Sequence, residues 1–155
     1  MRLLLIAVGK ARSRELAAGI DEYERRVRRY WPLKVVEVKE ESARSRTEDE
    51  VRRREGERLL EAAGAGTLVV ACDEQGTMLR SEEFAEWLRE ERERALRDVA
   101  FVIGGAYGLS EDVLARADVR MALTRWTLPH ELARLVLVEQ LYRAGTILRG
   151  EPYHK

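Results

Sequence analysis

Asparagine is absent from this 155-residue chain, glutamine occurs only as Gln75 and Gln140, and there is one cysteine, Cys72. A single thiol excludes an internal disulfide and any cysteine-based zinc cluster. No apolar run approaches the ~18 to 20 residues of a membrane helix. The opening Arg2 to Val8 is too short for a signal-peptide core with its cleavage site, so it reads as the first strand of a cytoplasmic protein. An excess of one charge is also missing: 28 basic residues balance 28 acidic ones. Without a long-range field to draw in nucleic acid, any polyanion site must be local. Two histidines far apart, with no carboxylates clustered at ligand spacing, indicate no metal site. The basic residues are nearly all arginine, which together with scarce amides fits a heat-adapted source or a GC-rich genome.

What the chain does contain is alternation, over a length that bounds a single domain, residues 1–155. Leu3 to Val8 is a continuous apolar run, the pattern of a strand buried on both faces. Leu16, Ile20, Tyr23, Val27 and Tyr30 recur at spacings of four and three, predicting one helix closed by Pro32. A second strand is expected within Leu33 to Lys39. Thr47 followed by Glu50 is a capping-box signature opening a helix to about Ala63. That helix has a thin apolar face (Val51, Leu59, Leu60), and its Arg52-Arg53-Arg54 run reads as a solvated surface. Thr67 to Cys72 is a third strand with Asp73 to Gly76 as the turn at its end. Ser81 is expected to cap a helix packing Phe84, Trp87 and Leu88. Val99 to Ile103 is a fourth strand, Val119 to Leu123 a fifth, and the last helix runs from about His130 to Arg149. Strands alternating with helices imply an α/β fold, a mostly parallel sheet with helices on both faces.

The stretch Phe101 to Ser110, Phe-Val-Ile-Gly-Gly-Ala-Tyr-Gly-Leu-Ser, holds three glycines in five residues between a buried strand and a helix capped by Ser110. Glycines at the C-terminal end of a strand let main-chain groups approach a ligand without a Cβ in the way, and open α/β sheets bind ligands at that edge. The letters exclude two phosphate sites. No Lys follows Gly108 as a P-loop requires, and the turn after the first strand holds only Gly9 where a dinucleotide fold needs its glycine fingerprint. Three late strand ends, at Cys72-Asp73, Gly104-Gly105 and Leu123 to Leu128, are expected to converge on one cleft.

Leu-Val-Val-Ala-Cys-Asp, the glycine stretch, Leu-Thr-Arg-Trp-Thr-Leu-Pro-His-Glu-Leu-Ala-Arg, Glu-Gln-Leu-Tyr-Arg-Ala and the terminal Pro-Tyr-His-Lys together resemble the SPOUT RNA methyltransferases. The nearest branch is the small one that methylates N3 of a pseudouridine in 23S ribosomal RNA, and the likeness covers essentially the whole chain. It implies a C-terminal trefoil knot, a homodimer with the cleft near the interface, and S-adenosyl-L-methionine as methyl donor. Donor contacts carried over by position are Cys72, Gly104, Gly105, Leu123, Thr124, Arg125, Trp126, Thr127 and Leu128. Cys72 departs from the Leu common in relatives, which puts a side-chain role there in doubt.

The resemblance also implies that Tyr153 and His154 fold over the active site, that of the partner subunit, to organise the target nucleotide, with His154 as the candidate base. Only His130 and His154 have an intrinsic pKa near neutrality. His130, at a helix start, reads as capping or packing. Arg125 either pairs with a carboxylate or meets a phosphate or the donor's carboxylate. Trp126 reads as packing, at the dimer interface on one reading. Arg134 and Arg143 are either solvated or an RNA-contacting or intersubunit pair. Lys10, Arg12, Arg14, Arg25 and Arg29 form a candidate polyanion surface. An electroneutral chain without an RNA-binding module is expected to act on assembled ribosomes. The competing readings are a transfer-RNA target on the same fold and a non-catalytic adenosine-binding protein.

Overall fold

A computed structural model describes residues 1–155. Its elements are β1 (Leu3–Val8), α1 (Arg14–Val27), β2 (Leu33–Val38), α2 (Glu48–Ala63), β3 (Leu68–Met78), α3 (Ser81–Arg94), β4 (Val99–Ile103), α4 (Glu111–Arg116), β5 (Val119–Ala122) and α5 (His130–Leu148). The five strands form one parallel sheet in the order β2-β1-β4-β3-β5.

Period-two alternation divides the core in two. Leu3, Leu5 and Ala7 of β1 face α1, α3 and α5 together with Val99, Phe101 and Ile103 of β4. Leu4, Ile6 and Val8 face α2 and α4 with Ala100 and Val102. Every residue of β1 and β4 is buried, as their unbroken apolar runs require. Fully burying each leucine, isoleucine, valine or phenylalanine among them contributes about 1.5–3 kcal/mol. No helix is long and apolar enough to cross a membrane.

Four expected boundaries are corrected. The first helix ends at Val27, and Tyr30 lies beyond it in a turn, because the chain must bend to seat Trp31 in the core. There the Trp31 indole N–H donates to the Leu141 carbonyl at 3.1 Å. The third helix is entered from Arg80, whose backbone N–H donates to the Glu83 carboxylate at 2.7 Å. Ser81 is thereby freed to donate to Gln140 of α5 at 2.8 Å. The turn expected at Asp73–Gly76 does not end β3: Cys72 and Thr77 both pair with Met121, and the strand resumes to Met78 around that excursion. Gly76 permits it, since a Cβ there would sit 2.6 Å from Arg120 C and Met121 N. The fifth strand stops at Ala122, leaving Leu123 in the loop.

Candidate active-site cleft

The excursion inside β3 at Cys72–Glu74 and the C-terminal ends of β4 and β5 open on one cleft of about 560 Å³, within the range of small-molecule sites. Cys72, Gly104, Gly105, Leu123, Thr124, Trp126, Thr127 and Leu128 all line it. The strand order explains the convergence, because β4, β3 and β5 are neighbours and parallel. The loops after β4 and β5 and the excursion within β3 are therefore delivered to the same edge.

The glycine loop is closed by the Gly108 N–H, which donates to the Gly105 carbonyl at 3.1 Å. Gly108 has φ +79°, a conformation that favours glycine. At Gly104 the need is close approach: a Cβ would lie 2.6 Å from Gly108 C and O. The loop is thus folded tightly enough to present main chain to the cleft.

The β5–α5 segment is fastened to the β3 excursion. The Thr127 hydroxyl donates to the Glu74 carboxylate at 2.8 Å, and Arg120 pairs with Asp73. Arg125 alone among the expected donor contacts does not line the cleft. Its Nη1 donates to the carbonyls of Glu74 and Gly76, both at 2.8 Å, so its first task is to brace that excursion. Trp126 is 80% exposed at the rim and finds no seat within the chain. Desolvation pushes the Cys72 thiol up to about 12, so it stays protonated and un-nucleophilic at neutral pH.

Tyr153 and His154 do not line this cleft. The tail instead folds against α1, α3 and α5 of its own chain. Tyr153 meets Tyr142 edge-on at 4.6 Å between centroids, and its hydroxyl lies 3.2 Å from the Tyr23 hydroxyl and donates to Glu139 at 3.1 Å. Arg143 stacks over the Tyr153 ring and lies 3.2 Å from His154 Nδ1. Arginine can only donate, so Nδ1 accepts and the ring proton sits on Nε2, facing Glu82 at 3.1 Å. Desolvation holds the Tyr153 phenol protonated.

Arg134 is corrected outright. It is buried, with Nη2 2.8 Å from Glu24 and Nη1 3.0 Å from Glu37, and so is neither solvated nor available to RNA. Arg143 is tied to Glu139 at 2.6 Å. Of the candidate polyanion surface, Arg12 is bound to Glu40 and Arg25 to Glu22, leaving Lys10, Arg14 and Arg29 without carboxylate partners. The Arg12 and Ser13 backbone N–H groups donate to Glu131, anchoring this loop beside His130.

The sequence reading missed several lining residues: Glu48 and Arg52 from the first turns of α2, and Tyr107, His130 and Ala133. The capping box gave the start of α2 but not the direction its first turn faces. Arg52, grouped with its neighbours as a solvated run, lines the cleft while paired to Asp49.

Residues 1–154 match the family model described as "Predicted SPOUT methyltransferase". The chain belongs to the SPOUT methyltransferase family. It is similar over the full length of both chains to the Ribosomal RNA large subunit methyltransferase H of Gemmatimonas aurantiaca, 56% identical over 155 residues. The protein of the same name from Anaeromyxobacter dehalogenans is 51% identical over 155 residues, again covering all of both chains. Among solved structures, a probable methylase family protein from Haemophilus influenzae superposes with TM-score 0.55 at 18% identity, covering 99% of this chain and 70% of that one. That likeness is one of fold: this SPOUT chain keeps the α/β scaffold with little of the neighbour's sequence.

Proposed function

We propose that this SPOUT protein methylates large-subunit ribosomal RNA, transferring the methyl group of S-adenosyl-L-methionine to N3 of a pseudouridine in 23S rRNA on the assembled ribosome. The observation that carries the reading is the cleft, where the β3 excursion, the β5–α5 segment and the glycine loop after β4 surround about 560 Å³. The family's name and that of the two relatives supply the reaction class and the RNA.

The residues present fit the donor. Gly104 forms a cradle that a Cβ would fill, 2.6 Å from Gly108 C and O, leaving the main chain as the contact surface. Leu123 and Leu128 offer apolar faces to a purine, and the turn Thr124 to Thr127 offers amides and carbonyls. When bound, the donor supplies an electrophilic sulfonium methyl for in-line displacement. The protein's contribution is then chiefly alignment, which in favourable cases supplies about 7–11 kcal/mol, against the 10²–10⁴-fold of a general base.

The tail completes the site from a second protomer, and the protein works as a homodimer with the threading its family resemblance implies. Tyr153 and His154 are held by contacts to Tyr23, Glu139, Arg143 and Glu82, which suits a role in holding the target nucleotide. In the chain's own arrangement both ring nitrogens of His154 are engaged, by Arg143 and Glu82. His154 therefore serves first as a positioning group. Lys10 and Arg14 flank the Arg12–Ser13 backbone that Glu131 anchors, next in sequence to the cleft-lining His130, and are the natural phosphate contacts.

Methyl transfer to ribosomes, with the modified nucleoside mapped by mass, tests the reading directly. Truncation after Gly150 is expected to abolish transfer while leaving S-adenosylmethionine affinity largely intact; full activity without the tail would remove it from the mechanism. Equal activity on a bare RNA hairpin would overturn the assembled ribosome as substrate. Reversing Lys10 and Arg14 together is expected to weaken RNA binding and lower its salt slope by roughly 2.

A further inference from the structure

α2 has a buried stripe at four-residue spacing, Val51, Glu55, Leu59 and Ala63. Three members are apolar and one is a carboxylic acid, 3% exposed. Leucine at 55 would simply continue the stripe. Glu55 Oε1 accepts from the Glu41 backbone N–H at 3.0 Å. Glu55 Oε2 is buried and has no hydrogen-bond partner, the one side-chain polar atom of the molecule in that condition. An orphaned buried acceptor destabilises the fold, so nothing in the packing accounts for it.

What Oε2 faces is the glycine loop. A β-carbon at Gly105 would lie 2.6 Å from Glu55 Oε2 and 3.1 Å from Val8 Cγ1. The main chain of Gly105 is therefore held between this oxygen on one side and the cleft it lines on the other. No residue from Gly104 to Gly108 is proline, and with the Gly108 N–H donated to Gly105, those of Gly104 to Tyr107 remain able to use an acceptor placed there.

We propose that Glu55 is a positioning residue for the donor-binding loop, its unpartnered Oε2 accepting a backbone N–H of the Gly104–Gly108 loop when the cleft is filled. The proposal rests on the reading of this cleft as the methyl-donor site. The contact couples donor binding to a proton. Desolvation pushes the Glu55 carboxyl above the ordinary carboxylate range, and an N–H donated to Oε2 favours the ionised form. Glu40 and Glu41 from the segment after β2 oppose that ionisation and Arg58 of α2 favours it, while Val8 and the glycine loop bring no charge. Filling the cleft thus expels a proton, and donor affinity rises with pH above the usual carboxylate value.

The discriminating variant is Glu55→Gln. Its oxygen retains the Glu41 hydrogen bond, which places an NH2 donor where Oε2 was, unable to accept from the loop. Calorimetry with S-adenosylmethionine at pH 6 and 8, in two buffers of different ionisation enthalpy, reads affinity and proton release together; thermal unfolding is followed in parallel. The expected result is proton release by the parent that is greater at pH 6 than at pH 8, none by the variant, and a donor affinity about tenfold weaker in the variant. The variant's Tm at pH 8 is expected to equal or exceed the parent's, since the buried acid is gone. Glu55→Leu, which continues the apolar stripe but leaves the Glu41 N–H without its acceptor, should lose donor affinity and proton release likewise and covers the case where the glutamine variant folds poorly.

Unchanged affinity and proton release in both variants would sink the positioning role and leave the donor site standing. Affinity and Tm falling together would reassign Glu55 to structure alone. A parent that binds no S-adenosylmethionine would overturn the donor site and this proposal with it.

Discussion

The two faces of the sheet treat buried carboxylates in opposite ways. On the face covered by α1, α3 and α5, Glu24 is 5% exposed and held by Arg134, which also reaches Glu37. On the face covered by α2 and α4, Glu55 is 3% exposed and one of its oxygens has no partner. The first face carries the larger core and finishes its electrostatics within the chain. The second has the smaller core, and its unfinished group sits behind the loop that lines the cleft. Burial alone says little about a charged residue's purpose; whether its hydrogen-bonding capacity is spent inside the fold says more.

Breaking the completed side is expected to have the largest effect. Arg134→Ala leaves the buried Glu24 with only the half-exposed Arg28 at 3.8 Å, which should destabilise the protein by up to about 3–5 kcal/mol in denaturant unfolding. A loss under 1 kcal/mol would mean that this triad is as weak as a surface pair and that the contrast between faces is false.

On the open side, Gly104→Ala drives a methyl group into Gly108. It should destabilise by about 1–3 kcal/mol and, beyond that, weaken S-adenosylmethionine binding at temperatures where the variant remains folded. Wild-type affinity in a folded variant would take the loop's main chain out of the donor site. Thr47→Ala removes the hydroxyl that accepts from the Glu50 N–H and should cost about 1 kcal/mol. The α2 helix has few apolar contacts to compensate, so a null result would mean that the smaller face is anchored elsewhere.

The smallest effect sharpens the contrast through pH. A carboxyl raised by burial keeps its proton longer when folded than when unfolded. Its contribution to stability is therefore complete below the ordinary carboxylate value and lost as pH rises through the folded one. Relative to the parent, Glu55→Gln should gain stability at pH 8 and not at pH 4. Equal differences at both would show that Glu55 ionises freely in the folded chain.

Much of this was legible in the letters. Unbroken apolar runs located β1 and β4, because strands buried on both faces have no polar side to show. Thr47 and Glu50 marked the start of α2, since both halves of a capping box lie within four residues. The convergence of Cys72, Gly104 and Thr127 was expected from strand ends, and it holds although Cys72 opens an excursion inside β3 instead of ending it. The misses share a cause. Arg134 resembles any helix arginine until Glu24, 110 residues earlier in sequence, is brought to 2.8 Å. Arg125 faces carbonyls of a strand excursion that the pattern had read as a terminal turn. Glu55 looked like a gap in a thin apolar face.

The sequence by itself determined the alternation of strands and helices and the glycine-rich bend. These depend on residue type at short spacing, where local sterics and burial periodicity dominate. Only the tertiary structure decided which charges are neutralised and which are left open, that Arg52 and His130 line the cleft, and that the tail rests on its own chain. Those outcomes depend on partners distant in sequence, and a charge's worth inside a protein is set by what the fold places within a few ångströms of it.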